Sequence, residues 1–127
     1  MDKIYIEGLE VQSLIGVYDW ERDATQRLLV DIVLFSDLQK PAYSDDVEDT
    51  LNYAEVAEAI TQVAKQSEFA LIEALAQAMI TQIFTQFPVQ KITLKLSKPD
   101  ILADAQNVAV EFTRERKDTW VHKHLNI

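Results

Sequence analysis

Apolar and polar residues alternate along the first third of the chain in two extended segments. The first runs from about residue 4 to residue 18 and the second from about residue 27 to residue 38, and β-branched and aromatic side chains recur in both at a period of two. The polar residues 19–26 connect them. The pattern predicts two β-strands, joined either as a long hairpin or through a tight bend near Gly16.

After a loop at residues 41–49 the apolar period changes to that of an amphipathic helix. The helix is predicted to begin at about Tyr53, because Asn52 followed three places later by Glu55 resembles a capping box. Its apolar stripe consists of Tyr53, Val56, Ala57, Ile60, Val63 and Ala64. A second helix is predicted at about residues 70–87, with a stripe made of Ile72, Leu75, Ala76, Met79, Ile80 and Ile83.

Strand-like alternation returns at residues 91–97 and 107–114. The order of two strands, two helices and two strands predicts an α+β fold, an antiparallel four-stranded sheet with two helices on one face. Such a sheet leaves two edges, and proteins pair or cover long edges, so we expect self-association into a ring. Residues 1–116 are predicted to form one domain. Residues 117–127 form a tail of mixed polarity, either disordered or folded onto a neighbour.

Composition excludes several classes of protein. With 127 residues the chain is long enough for one core and too short for two comfortable ones. A formal net charge of -9 argues against binding nucleic acids or anionic membranes, both of which favour basic surfaces. No apolar window reaches the length of a membrane span, and the first residues lack the apolar run of a signal peptide. We expect a cytoplasmic protein.

The residue inventory also argues against metals and cofactors. The chain has no cysteine, so it has neither a disulfide framework nor a thiolate zinc site. His122 and His124 stand in the tail without a spaced partner, which makes a metal site there improbable. There is no glycine-rich phosphate loop and no serine or cysteine motif with a histidine partner. We therefore expect neither a metal nor a cofactor.

Lys98 is a lysine where the strand pattern calls for an apolar residue. Alternation places it on the same face as Leu94 and Leu96, and Pro99 directly after it stops the strand. An ammonium at the rim of a core is poorly solvated, and desolvation would make it a better proton acceptor at neutral pH. Alternatively, the strand frays before Lys98 and the ammonium lies in water, as most lysines do.

Glu73 is the only charged residue between Phe69 and Phe87, and it falls in the opening turns of the second predicted helix. Its place on the helical wheel also fits an ordinary solvated face. The functional alternative is a carboxylate beside free backbone amides such as that of Ile72. Two acceptors and one donor form the pattern that holds an amino-pyrimidinone edge.

Tyr53 and Glu21 are weaker candidates. The ring of Tyr53 fits the apolar stripe of the first helix, and core packing is its more frequent role. Its hydroxyl would nevertheless lie near the positive end of the helix, where the dipole stabilises the phenolate left by proton donation. Glu21 stands in a charged loop and is expected, on its own, to be a surface residue.

Five strings of residues occur together in an order and spacing that resemble bacterial dihydroneopterin aldolase. They are IGVYDWE (15–21), SDDV (44–47), LNY (51–53), FALIE (69–73) and LSKP (96–99). The resemblance covers about residues 3–115, and the tail departs from it. It implies a tunnelling fold in which subunits form a ring whose strands line a barrel. It further implies an octamer of two stacked rings of four, with active sites between neighbouring subunits.

The resemblance also implies roles for the candidate residues. Glu73 would anchor the 2-amino and N3 hydrogens of a pterin, assisted by the backbone amide of Ile72. Glu21 would lie near the reacting side chain, Tyr53 would come from the adjoining subunit, and Lys98 would transfer protons. The implied reaction is retro-aldol cleavage of 7,8-dihydroneopterin, with epimerisation at C2′ to dihydromonapterin as a side reaction. It needs no cofactor, because the substrate contains a conjugated imine that accepts the electrons.

Three other functions remain open at this point. A dihydroneopterin triphosphate epimerase would need cationic or amide-rich phosphate contacts, and this acidic chain has no evident cluster of them. A noncatalytic ring that binds pterins is disfavoured by the joint presence of Glu21, Tyr53, Glu73 and Lys98. An oxygenase using the same pocket is expected to lack the tyrosine found here at position 53.

Overall fold

The computed structural model describes residues 1–117 and forms a four-stranded antiparallel sheet with helices on one face. The strands are β1 (Asp2–Ser13), β2 (Gln26–Ser36), β3 (Lys91–Ser97) and β4 (Ala109–Glu115), and the helices are α1 (Gln39–Ser44), α2 (Tyr53–Gln66) and α3 (Ile72–Gln86). Two 3-10 turns, Asp19–Arg22 and Val47–Asp49, lie in the connections. The predicted α+β fold is confirmed.

The strands follow one another in the sheet in chain order, β1-β2-β3-β4, and every neighbouring pair is antiparallel. The helices cover the face on which β2 and β3 place their apolar residues: α2 contacts β1, and α3 contacts β3 and β4. Burying a side chain of leucine or isoleucine size contributes about 1.5–3 kcal/mol, so this layer dominates the stability of the fold. It includes Leu28, Val30, Ile32, Leu34, Ile60, Met79, Ile83, Ile92, Leu94 and Leu96.

The first helix of the α2–α3 pair begins where the sequence predicts. The side-chain oxygen of Asn52 accepts hydrogen bonds from the backbone amides of Ala54 (3.1 Å) and Glu55 (3.3 Å), which is the N-cap role expected of it. Val56 and Ile60, two residues of the predicted apolar stripe, are fully buried in the core.

Several boundaries differ from the sequence-based expectation; β4, for example, begins at Ala109 rather than at 107, and β2 ends at Ser36 rather than near 38. β1 ends at Ser13 rather than near residue 18, because the chain leaves the sheet and turns at Gly16, whose φ is +137°. The supposed loop at 41–49 overlaps the short helix α1, which has no apolar stripe to reveal it. Helix α3 starts at Ile72 rather than 70, because Leu71 is still extended and serves as the N-cap.

The predicted tail, with Trp120, His122 and His124, lies outside the described residues apart from its first position, Lys117. Within the described part of the chain, no helix has the length and apolar character needed to cross a membrane.

Candidate active site

A pocket of about 340 Å³ opens where the connection after β1, the start of α3 and the ends of β3 and β4 meet. Charged and polar side chains converge in it from three parts of the sequence, residues 17–21, 70–73 and 98–101. Its lining includes Glu21, Leu71, Ile72, Glu73, Lys98 and Ile101.

One end of the pocket is made by the turn that carries Glu21. The 3-10 turn Asp19–Arg22 closes with a hydrogen bond from the Glu21 amide to the Tyr18 carbonyl (2.9 Å). The Glu21 side chain folds back so that Oε1 accepts from the amides of Val17 and Tyr18, both at 3.3 Å. The residue is only 3% exposed. The expectation that Glu21 lies on the surface is therefore wrong.

Gly16 is what allows the turn to close over Glu21. Its φ of +137° is a conformation that other residues rarely adopt. A Cβ at this position would also overlap the Glu21 side chain and lie 2.7 Å from its Oε2 atom. The chain has only two glycines, and one of them stands five residues before Glu21. This glycine is the feature of the sequence that could have indicated a tight turn around the Glu21 carboxylate.

Lys98 reaches the same carboxylate from the other side of the pocket. Its backbone amide donates to the Val108 carbonyl (2.7 Å), so the chain stays paired one residue beyond the end of β3. The side chain is 11% exposed, and Nζ donates to Oε2 of Glu21 as a buried ion pair. Lys98 thus sits at the rim of the core rather than in open water. The partner carboxylate, 77 residues away in sequence, is what the strand pattern could not reveal.

The ion pair also sets the protonation of Glu21. Burial alone would raise the pKa of the Glu21 carboxyl. The hydrogen bond from Lys98, the backbone amide of Tyr18 and the charge of Lys98 outweigh burial and lower the pKa below its ordinary value. Gln26, which sequence reasoning missed, adds a contact from Nε2 to Oε2 at 3.5 Å. Glu21 is therefore an ionised carboxylate at neutral pH and stabilises an ammonium beside it.

The opposite end of the pocket is the start of α3. Ile72 is the first helical residue and is buried, and the N-cap Leu71 provides no side-chain acceptor for the first amides. These amides have no intrahelical acceptor and lie at the positive end of the helix dipole. Glu73 follows at the pocket edge with an exposed side chain. The backbone amides can donate hydrogen bonds and the exposed Glu73 carboxylate can accept them. Together they can hold a planar ligand that carries N–H groups beside a ring nitrogen or carbonyl.

Tyr53 lies elsewhere in the protomer. It begins α2, does not line the pocket, and leaves 64% of its surface exposed. The prediction that its ring packs in the core is wrong, because the buried stripe of α2 starts one turn later, at Val56. A single chain therefore brings together Glu21, Glu73, Lys98 and the Ile72 amide, and leaves the phenol of Tyr53 apart.

No group of three or more histidine, aspartate or glutamate side chains positioned to hold a metal ion occurs within residues 1–117. The titratable side chains that line the pocket are the carboxylates of Glu21 and Glu73, the amine of Lys98 and the phenol of Tyr18. Their arrangement suits binding of a polar heterocycle and transfer of protons to or from it.

Comparison with known proteins gives a consistent result. A family model described as dihydroneopterin aldolase matches residues 4–113. The dihydroneopterin aldolase of Escherichia coli K12 is 41% identical over 114 residues, covering 90% of this chain and 93% of that protein. The Bacillus subtilis dihydroneopterin aldolase is 37% identical over 119 residues, covering 91% and 99%. The E. coli dihydroneopterin aldolase crystallised in complex with neopterin superposes with a TM-score of 0.87 at 41% identity, covering 90% of this chain and 99% of that one.

Proposed function

This chain belongs to the dihydroneopterin aldolase family, and we propose that the pocket between Glu21, Lys98 and the start of α3 is the place where it carries out that family's reaction. The activity is that of a carbon–carbon lyase of folate biosynthesis acting on a pterin. 7,8-Dihydroneopterin is cleaved to 6-hydroxymethyl-7,8-dihydropterin and glycolaldehyde. The observation that carries the site assignment is the buried Glu21–Lys98 pair facing the uncapped start of α3 across one cavity.

The pterin ring is held at the α3 end. The Glu73 carboxylate accepts hydrogen bonds from the 2-amino group and N3, and the Ile72 amide donates to an acceptor on the same ring. Both groups line the pocket, and hydrogen bonds to a charged carboxylate are stronger than those between neutral groups. This arrangement places the side chain at C6 toward Glu21 and Lys98.

Proton transfer takes place at the other end. The proton of the 2′-hydroxyl passes through water to the Glu21–Lys98 pair, the C1′–C2′ bond breaks, and glycolaldehyde leaves with a new C=O. The bonding electrons move into the conjugated imine of the ring, so the substrate itself provides the electron sink. The enamine is then protonated at C1′. Glu21 and Nζ of Lys98 are in direct contact, so the pair holds the incoming proton and returns it to C1′ of the enamine.

Tyr53 of a neighbouring subunit completes the site in this proposal and assists protonation of the enamine. Two features support an assembled site: Tyr53 is exposed at the start of α2, and in the described sheet β1 and β4 each have a paired strand on one side only. The assembly we propose is an octamer of two four-membered rings, built from the domain at residues 1–116 and located in the cytoplasm. Light scattering measures the ring size directly.

Epimerisation at C2′ belongs to the same proposal. If glycolaldehyde rotates in the pocket before it leaves, the enamine adds to the other face of the aldehyde and the product is dihydromonapterin. The same proton acceptor and donor serve both outcomes, so the ratio of products depends on how fast the aldehyde escapes.

The decisive test is incubation of the purified protein with 7,8-dihydroneopterin under exclusion of air, followed by chromatography of the pterins and of derivatised glycolaldehyde. Equimolar 6-hydroxymethyl-7,8-dihydropterin and glycolaldehyde are expected, with a smaller dihydromonapterin peak. Lys95→Ala is the matched control for the Lys98→Ala variant, because Lys95 is an exposed lysine of β3, three residues before Lys98. Binding of dihydroneopterin without release of glycolaldehyde would overturn the proposal in favour of a noncatalytic pterin-binding protein.

A further inference from the structure

The two ends of the pocket come from segments that are far apart in sequence, residues 15–22 and residues 68–73. Each is anchored by its own contacts. Glu21 is held by the amides of Val17 and Tyr18, and the start of α3 is held because Ile72 and Leu75 are buried in the core. Apolar packing brings the two segments together, since Ile15 and Ile72 are buried in the same core, and polar contacts fix their backbones relative to each other.

The guanidinium of Arg22 joins the two segments. Its Nη1 donates to the carbonyls of Phe69 (3.0 Å) and Gly16 (3.3 Å), and its Nη2 donates to the Glu68 carbonyl (3.1 Å). The only other hydrogen bond between the two segments in the described chain runs from the Gly16 amide to the same Phe69 carbonyl (3.3 Å). Arg22 therefore supplies most of the polar connection between them.

We infer that Arg22 is a positioning residue for the aldolase reaction, which sets the spacing between the end of the pocket that moves protons and the end that holds the ring. The inference rests on the proposed roles of Glu73 and Lys98. A planar guanidinium offers donors in a fixed fork, so it can bind carbonyls of both segments at once, whereas an ammonium is a point donor without that geometry.

The spacing matters because the substrate is a rigid bicycle with a short side chain. Once the ring is bound at Glu73, the distance between C6, which carries the side chain, and Lys98 is set by the protein. A misplacement of about 1 Å can lower the rate of a chemical step about 100-fold. Loosening the Arg22 connection should therefore slow turnover while leaving the ring-binding contacts intact.

The test compares Arg22→Ala, Arg22→Lys and the control Arg27→Ala. Arg27 makes only partly exposed ion pairs with Glu10 (3.5 Å) and Asp100 (3.6 Å). For Arg22→Ala we expect kcat to fall about 10- to 100-fold while the Kd for neopterin changes by less than about threefold. Arg22→Lys should fall between Arg22→Ala and the wild type, and Arg27→Ala should match the wild type.

A second readout separates positioning from folding. Added guanidinium ion, at concentrations well below those that unfold the protein, should restore part of the kcat of Arg22→Ala, and sodium at equal ionic strength should not. Circular dichroism melting of each variant reports the folded fraction. An unchanged kcat in folded Arg22→Ala, or a loss of neopterin binding as large as the loss of turnover, would overturn the inference. A wild-type protein that releases no glycolaldehyde would instead overturn the proposed function, so the two failures are distinguishable.

Discussion

The two ends of the pocket differ in whether their charged and polar groups have hydrogen-bond or ion-pair partners within the protein. At one end, Glu21 and Lys98 are nearly enclosed and neutralise each other. At the other, no hydrogen bond or ion pair to Glu73 occurs among residues 1–117, and the first amides of α3 have no cap. The first end is organised before any ligand arrives, as proton transfer requires, and the second has binding capacity left for a ligand.

Of the variants that test this difference between the two ends, Lys98→Ala is expected to have the largest effect, a loss of turnover. Removing a positioned proton acceptor typically lowers a rate by about 100- to 10,000-fold, and we expect kcat to fall within that range. Affinity for neopterin should change little, because the groups proposed to hold the ring remain. Stopped-flow or steady-state assays give kcat, and fluorescence titration gives the Kd. Equal losses of kcat and affinity would show that the two ends do not divide the work.

Glu73→Gln tests the other end. It removes a charged acceptor whose hydrogen bonds are worth about 1.5–3 kcal/mol, so neopterin affinity should fall about 10- to 100-fold. The control is Glu55→Gln, which alters an exposed glutamate in the first turn of α2 in the same way. A variant that keeps its affinity but loses turnover would place Glu73 with the chemistry instead of with ring binding.

Co-expression of Lys98→Ala with Tyr53→Phe sharpens the comparison by asking whether the site is shared between subunits. If Tyr53 comes from a neighbour, about a quarter of the sites in randomly mixed rings contain both native residues, so mixed oligomers should recover up to about 25% of wild-type activity. Separately purified and unmixed variants provide the baseline. Mixed assemblies that never exceed the average of the two baselines would place both residues in one chain.

The smallest expected effect is on stability and its dependence on pH. Because the pKa of Glu21 is lower in the folded protein than in the unfolded chain, its contribution is complete above the unfolded value and is lost as the pH falls through the folded value. Glu21→Gln should therefore lower stability at pH 7 by about 1–3 kcal/mol and flatten the loss of stability below about pH 4.5. Urea midpoints at several pH values measure both. An unchanged pH profile would mean that the pair contributes nothing in solution.

The outline of the fold was readable from the sequence because periodicity reports which side chains face a core. The strand at 91–97 and the start of α2 at Tyr53 were predicted to the residue. Lys98 was noticed because it interrupted an apolar alternation. These signals are local, since a strand or helix face is set by its own spacing.

The rest depended on contacts that no local pattern records. Glu21 and Arg22 stand in a run of charged residues that is typical of a surface loop. Glu21 is buried because the chain turns at Gly16 and Lys98 pairs with it, and Arg22 binds backbone carbonyls about 47 residues away in sequence. For Tyr53 the sequence left two roles open, core packing and proton donation, because its ring extends the apolar stripe, whereas the buried residues of α2 begin only at Val56. Tertiary packing decides such cases, and it is invisible in a single sequence.

Because Arg22 bonds to main-chain oxygens, the identity of the side chains at positions 68 and 69 is irrelevant to the connection it makes. Glu68 is exposed, Phe69 is 36% exposed, and neither lines the pocket, whose lining in this segment begins with the next residue, Ala70. A mutant library randomised at these two positions should therefore keep the hydrogen bonds by which Arg22 joins the two ends of the pocket.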